Sequence, residues 1–170
     1  SITKIRVSDN AEVGTYPVGG GPLHVIFDGA YLWVEHLGGG ISLTKVKASD
    51  GAVAATYTTA AIGDTGSMVF DGTYLWLGEF AGPTLRRFDP QTGTVTGTFT
   101  APQNISEMAF DGTHVWTGHS SGAVSKWRAS DGALLGTFPT GLSILNAITF
   151  DGNFVWAGGG GGVSKLDPAS

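Results

Sequence analysis

Four times along the chain a Phe-Asp-Gly triplet is followed by a tryptophan. Phe27, Phe70, Phe110 and Phe150 open the triplets at spacings of 43, 40 and 40 residues, and Trp33, Trp76, Trp116 and Trp156 each follow six residues later. A period near 40 marks an architecture in which each supersecondary unit buries its apolar face against its neighbour. Further along each period come the runs "SLTKVKASDG", "TLRRFDPQTG" and "AVSKWRASDG", then "AVAATY", "TVTGTF" and "ALLGTF". Each repeat thus supplies four short, β-branched and aromatic runs, A to D, separated by Asp-Gly or Gly-rich turns. None holds an apolar pattern with a period of 3.6 residues, so helices are not expected.

The arrangement at the ends is informative. The last copy stops after its third run, "GVSKLDPAS", whereas the N-terminal "ITKIRVSDNAEVGTYPVG" reads as a third and fourth run. One repeat is split between the ends, a device that closes a ring of sheets and leaves no free edge. The expected fold is an all-β, four-bladed β-propeller over residues 1–170. Its repeats are approximately 25–67, 68–107 and 108–147, with a split repeat of 148–170 plus 1–24. Third runs number five against four first runs, so one is surplus. Exchange of that strand between molecules gives the alternative of an eight-bladed ring from two chains, and with it a homodimer.

Composition narrows the function classes. The 28 glycines among 170 residues fit many turns, and 41% hydrophobic residues are enough to fold rather than stay disordered. The absence of cysteine excludes disulfides, thiolate metal sites and a thiol nucleophile. A net charge of −5 argues against nucleic acid as a partner. No apolar run approaches the roughly 20 residues of a membrane span. The chain opens at Ser1, which raises the expectation of a processed, trimmed or tagged N-terminus and of a secreted or cell-surface protein rather than a cytoplasmic one.

Most of the charges read as structural. Asp28, Asp71, Asp111 and Asp151 sit in the A–B turns, and Asp9, Asp50, Asp89, Asp131 and Asp167 in the C–D turns, where Asp caps backbone N–H groups beside Gly. His114 occupies an A–B turn and reads the same way. All nine basic residues fall in third strands, where long side chains make a solvated rim. The strand-B tryptophans read as core, each facing its phenylalanine across the A–B hairpin; Trp127, in a C strand, has no counterpart.

What differs from repeat to repeat is the start of A and the end of B, which meet on one face. Without a bulge, the hairpins would set His24 opposite His36, Ser67 opposite Glu79, Glu107 opposite His119 and Ala147 opposite Gly159. Outside the turns the other acids are Glu12, Glu35 and Asp64, so ionisable chemistry concentrates on this face. Imidazoles beside carboxylates suit a divalent metal, with His24, His36, Glu79 and His119 as ligand candidates. They equally suit general acid–base work, with His36, His119 and Glu107 as catalytic candidates. Asn104, Asn146 and the D–A loops "AIGDTGS", "APQNISE" and "TGLSIL" would wall a site for a small molecule or a protein. The "GGGGG" at 158–162 lacks a P-loop's lysine and following helix, and reads as a close turn.

The run "FDGxxLW", continued by the composite "VSKxDPxTGxVxxTFxxG", resembles the repeats of streptogramin B lyase-like and YVTN surface-protein propellers. That resemblance implies a propeller and, for the lyases, a divalent metal with a histidine acting on an ester-linked cyclic peptide. Glu79 and Glu35 match the glutamate that such lyases place at the end of strand B; His24, His36 and His119 match their histidines. The chain departs from the pattern in having four repeats rather than about seven, and in strand-B ends that carry His or Gly. Three functions follow as expectations: a binding or interaction module using the variable face, a metal-assisted lyase or hydrolase, and a self-assembling repeat protein.

Overall fold

A computed structural model of the chain describes residues 1–37, 41–58, 65–79 and 82–169. Every regular element among them is a β-strand. The chain divides into two compact units, Ser1–Asp64 and Thr65–Ser170, each taken by itself below.

In the first unit β1 (Ile2–Ile5) and β2 (Glu12–Tyr16) form a two-stranded sheet. Next comes a four-stranded antiparallel sheet of β3 (Pro22–Phe27), β4 (Tyr31–His36), β5 (Ile41–Lys47) and β6 (Val53–Thr58), in that order. Val34 and Val46 of this sheet meet Val18, with Ile2 and Leu32 packed alongside.

The second unit holds two complete sheets, β7 (Thr65–Phe70) to β10 (Thr94–Thr100) and β11 (Ile105–Phe110) to β14 (Leu134–Pro139). Between their outer strands run β8 (Leu75–Glu79), β9 (Thr84–Asp89), β12 (His114–His119) and β13 (Ala123–Arg128). A three-stranded sheet of β15 (Leu145–Phe150), β16 (Val155–Gly159) and β17 (Gly162–Leu166) follows. The partial sheets are thus the two-stranded β1–β2 in the first unit and the three-stranded β15–β17 in the second. Each sheet buries one face against the next: Trp76 and Leu85 cluster with Met108 and Val115, and Trp116 and Val124 with Val155 and Ala157.

The Asp-Gly turns are locked the same way in every repeat. Asp28, Asp71, Asp111 and Asp151 each accept two backbone N–H groups with Oδ1, two and three residues ahead. The other oxygen, Oδ2, accepts the indole N–H of the tryptophan five residues on, at 2.7, 2.7, 2.7 and 2.6 Å. Gly29, Gly72, Gly112 and Gly152 take positive φ, between 95° and 102°, which an L side chain resists. In the C–D turns Asp9, Asp50, Asp89, Asp131 and Asp167 each accept the N–H two residues ahead.

Two expectations are corrected here. Asp28 N–H bonds Tyr31 O, which closes the turn so that Phe27 opposes Leu32 and Ile26 opposes Trp33. The phenylalanine and tryptophan therefore point to opposite faces of the sheet, since a shift of one residue flips a strand side chain. The basic residues do more than rim the molecule. Lys45 sits 4.2 Å from the Tyr31 ring centre, Arg87 4.7 Å from Tyr74, Lys126 5.4 Å from Trp116 and Lys165 3.5 Å from Phe154. Each opposes its repeat's tryptophan across the B–C pair and covers its aromatic face.

Trp33, Trp76, Trp116 and Trp127 are buried, as core side chains are. Trp127 packs beside Phe99 and donates its indole N–H to Thr117 Oγ1 at 3.0 Å. The glycine run 158–162 forms the β16–β17 turn, with Gly161 at φ 105°.

Candidate functional site

The variable face is shaped by an irregularity near the start of each A strand. His36 opposes Pro22 rather than His24, and Glu79 opposes Thr65 rather than Ser67. His119 opposes Ile105 rather than Glu107, and Gly159 opposes Leu145 rather than Ala147. In every hairpin the register shifts just inside that pair, so a bulge replaces the regular pairing expected from the twelve-residue spacing. In the third repeat the extra residue is Ser106, whose hydroxyl donates to Gly118 O at 3.0 Å.

In the first unit the bulge brings His24 to Glu35. His24 Nδ1 lies 2.7 Å from Glu35 Oε2; the carboxylate is fully buried and the imidazole partly exposed. An N–H donor at this distance compensates for burying a carboxylate. His36 is used differently. Its Nδ1–H donates to Gly20 O at 2.7 Å, and its Nε2 meets the Thr44 hydroxyl at 2.9 Å, whose oxygen is also 3.0 Å from Val18 O.

In the second unit His119 repeats that role. Nδ1–H donates to Asn104 O at 3.1 Å, and Nε2 accepts from Ser125 Oγ at 2.7 Å, which in turn lies 2.8 Å from Thr137 Oγ1. Burial pushes the His119 imidazole below the usual histidine range, against the carbonyls of Asn104 and Gln103, so the ring is neutral at physiological pH. Glu79, at the matching position, stands 3.9 Å from Arg86 Nη2, and Arg86 matches Thr44 and Ser125 in strand C. In three of the four repeats the last residue of B thus reaches diagonally to the C residue that opposes the position two before it: His to a hydroxyl, Glu to Arg.

These contacts decide the chemistry. Both ring nitrogens of His36 and of His119 are engaged, by a backbone carbonyl on one side and a hydroxyl on the other. Among the described residues no three His, Asp or Glu side chains gather as a metal ion would need. Asp64 and the first part of the "AIGDTGS" loop, residues 61–64, lie outside the described residues.

What the face does assemble is a cleft of about 340 Å³ beside β11 and β15. Asn104, Ser106, Glu107, Ser120 and Asn146 line it, over a floor of Ile105 and Leu145. The two floor residues are buried, and Asn104, Ser120 and Asn146 are exposed. Asn104 links the two features, its backbone carbonyl accepting from His119 while the residue lines the cleft. Three of the residues singled out from the sequence, Asn104, Glu107 and Asn146, therefore meet in one cleft. Ser106 and Ser120 were not foreseen; a hydroxyl within two residues of each strand end was the available signal.

No family model matches the chain, and no curated protein matches it. Solved structures do. Kuenenia stuttgartiensis hydrazine synthase superimposes with a TM-score of 0.74 at 17% identity, over 92% of this chain and 49% of that one. The WD40 repeats of RRP9 give 0.72 at 16% identity, over 86% and 47%. The Neurospora crassa Pan2 WD40 domain gives 0.77 at 11% identity, over 92% and 49%. The chain spans about half the length of the structures it matches. The likeness shows a β-propeller type of fold.

Proposed function

We propose that the chain is a four-repeat β-propeller module that binds a protein segment through the face where its A strands begin and its B strands end. The four Phe-Asp-Gly/Trp repeats are read as successive blades, in keeping with their resemblance to YVTN and streptogramin B lyase-like repeats. The observation that carries the reading is the cleft of Asn104, Glu107, Ser120 and Asn146. Exposed amides and a hydroxyl stand over an apolar floor, a pairing that suits the alternating backbone and side-chain groups of a peptide. Two of the solved structures it resembles are WD40 domains, which supports a module rather than a catalyst as the first reading. Selection of displayed peptides against the chain tests it: binders should lose at least tenfold in affinity to Asn146→Arg and to Asn104→Ala. Peptides bound equally well by both variants would refute the cleft as the recognition surface.

A second reading, a hydrolase or lyase, has one observation in its favour. His24 is oriented by a buried carboxylate, as a general base is, and its Nε2 has no hydrogen-bond partner among the described residues. A small cleft lined by His24, Pro22 and Val34 adjoins it. Ester hydrolysis that vanishes in His24→Ala would establish it; equal rates in the two proteins would end it.

A further inference from the structure

Within the second unit the A strands open on one plan. Thr65, Ile105 and Leu145 pair with the last residue of B, and the next residue, Gly66, Ser106 or Asn146, falls outside the ladder. Ser67, Glu107 and Ala147 then pair with Gly78, Gly118 and Gly158. Two of these glycines make room for the next repeat: a Cβ on Gly78 would collide with the Ile105 side chain, and one on Gly118 with that of Leu145. Directly paired residues present their side chains to the same face. Leu145, seated over Gly118, therefore lies alongside Glu107.

Nothing in this plan calls for a charge. Ser67 fills the position at 2% exposure and Ala147 fills it in the open, so neither burial nor exposure requires a carboxylate there. Glu107, partly buried, brings one to the cleft of Asn104, Ile105, Ser106, Ser120, Leu145 and Asn146, and it is the ionised side chain among these lining residues. The basic residues of the unit are placed elsewhere. Arg87, Lys126 and Lys165 lie over aromatic rings, Arg128 beside Asp131 and Arg86 beside Glu79. A cation in this cleft is thus one that a partner brings.

We propose that the segment bound here presents a lysine or arginine, its methylene stem on Ile105 and Leu145 and its charged head at the Glu107 carboxylate. The inference rests on the reading of the cleft as a peptide site and names what that site selects. An apolar floor beside a single carboxylate suits a side chain that is apolar along its length and cationic at its tip. A carboxylate partly withdrawn from water gains more from a charged donor than from a neutral one. Asn104, Asn146 and Ser120 add neutral acceptors around the same head.

Random peptides displayed on phage and selected against the chain are the probe, with synthetic copies of the recovered sequences measured by fluorescence anisotropy. Recovered peptides should share a lysine or arginine at one fixed place. Replacing it with norleucine, a change that needs no protein variant, should weaken binding at least tenfold. Glu107→Gln should cost the original peptide a similar factor and the norleucine peptide nothing, because both changes remove one interaction. This variant keeps the side-chain shape, and Glu107→Ala places there what the fourth repeat carries, so both should keep the parent's circular dichroism. Acetylating the peptide N-terminus should leave affinity unchanged, which separates a side-chain cation from a terminal amine; loss on acetylation overturns the proposal. Peptides that are lost in Asn146→Arg, yet share no cation or bind Glu107→Gln as tightly as the parent, also overturn it and leave the peptide reading standing. Recovery of no peptide sensitive to Asn146→Arg overturns both.

Discussion

His119 Nε2 lies 2.7 Å from the Ser125 hydroxyl, and His36 stands in the same relation to Thr44 at 2.9 Å. The two histidines bridge strand B, strand C and the carbonyl of the preceding loop, so their imidazoles hold the end of a repeat in place. Ser125→Ala should then destabilise the fold by about 1–3 kcal/mol, the cost of stranding a buried polar nitrogen. Urea denaturation checks this, and the loss should be unaffected by added Zn²⁺ or Mn²⁺.

Removing a turn aspartate should be costlier. Asp111 satisfies two backbone N–H groups and the Trp116 indole with one carboxylate. Asp111→Ala should cost about 2–4 kcal/mol in chemical denaturation, because three donors lose their partner together. Asp151→Ala, whose carboxylate is solvent-exposed, should cost less.

The same carboxylates set the response to acid. Burial alone would raise Asp28 and Asp111, but the indole and backbone donors outweigh it and hold both below the usual carboxylate value. Asp151 is lowered by the Phe154 N–H, the Trp156 indole and the Asn153 N–H. A carboxylate with a lowered folded-state pKa binds fewer protons in the folded than in the unfolded chain. Its stabilisation is complete above the unfolded value of about 3.9 and is lost as pH falls through the lower folded value. Melting temperature followed from pH 7 downward should therefore owe no loss to these groups until about pH 4, and then drop. Asp111→Asn should shrink that acid-dependent drop.

Gly122 should tolerate no side chain. Its φ is 84°, and an added Cβ would come within 1.8 Å of Leu142 O, a backbone atom with nowhere to retreat. Gly122→Ala should cost about 3 kcal/mol or more, by denaturation. Gly118 is crowded instead by the Leu145 side chain, so Gly118→Ala should cost about 1–3 kcal/mol and be relieved by Leu145→Val.

Strand identity and the turns were legible in the sequence because Phe-Asp-Gly and the tryptophan recur in step. The function of the nine turn aspartates as caps was legible for the same reason. Register was not. The six-residue spacing from Phe27 to Trp33 suggests a facing pair, yet Asp28 and Tyr31 close the turn one step away. Nor did anything in "NISEM" announce that Ser106 would bulge and swing Glu107 out of line with His119. The fate of the histidines was half visible. Each is followed by a hydroxyl residue in the next strand, Thr44 or Ser125, and where the B strand ends in Glu79 that residue is Arg86. Side-chain direction, which a linear pattern does not carry, decided that Lys45 and Arg87 would cover aromatic rings.

The bond from each turn aspartate to its tryptophan begins and ends inside one repeat. A segment duplicated or deleted as a whole thus carries both halves of its own fastening, and no neighbour has to change to accept it. Repeat number in such a chain is free to drift by whole periods, while the strand ends at the opposite rim are left to acquire new specificities one copy at a time.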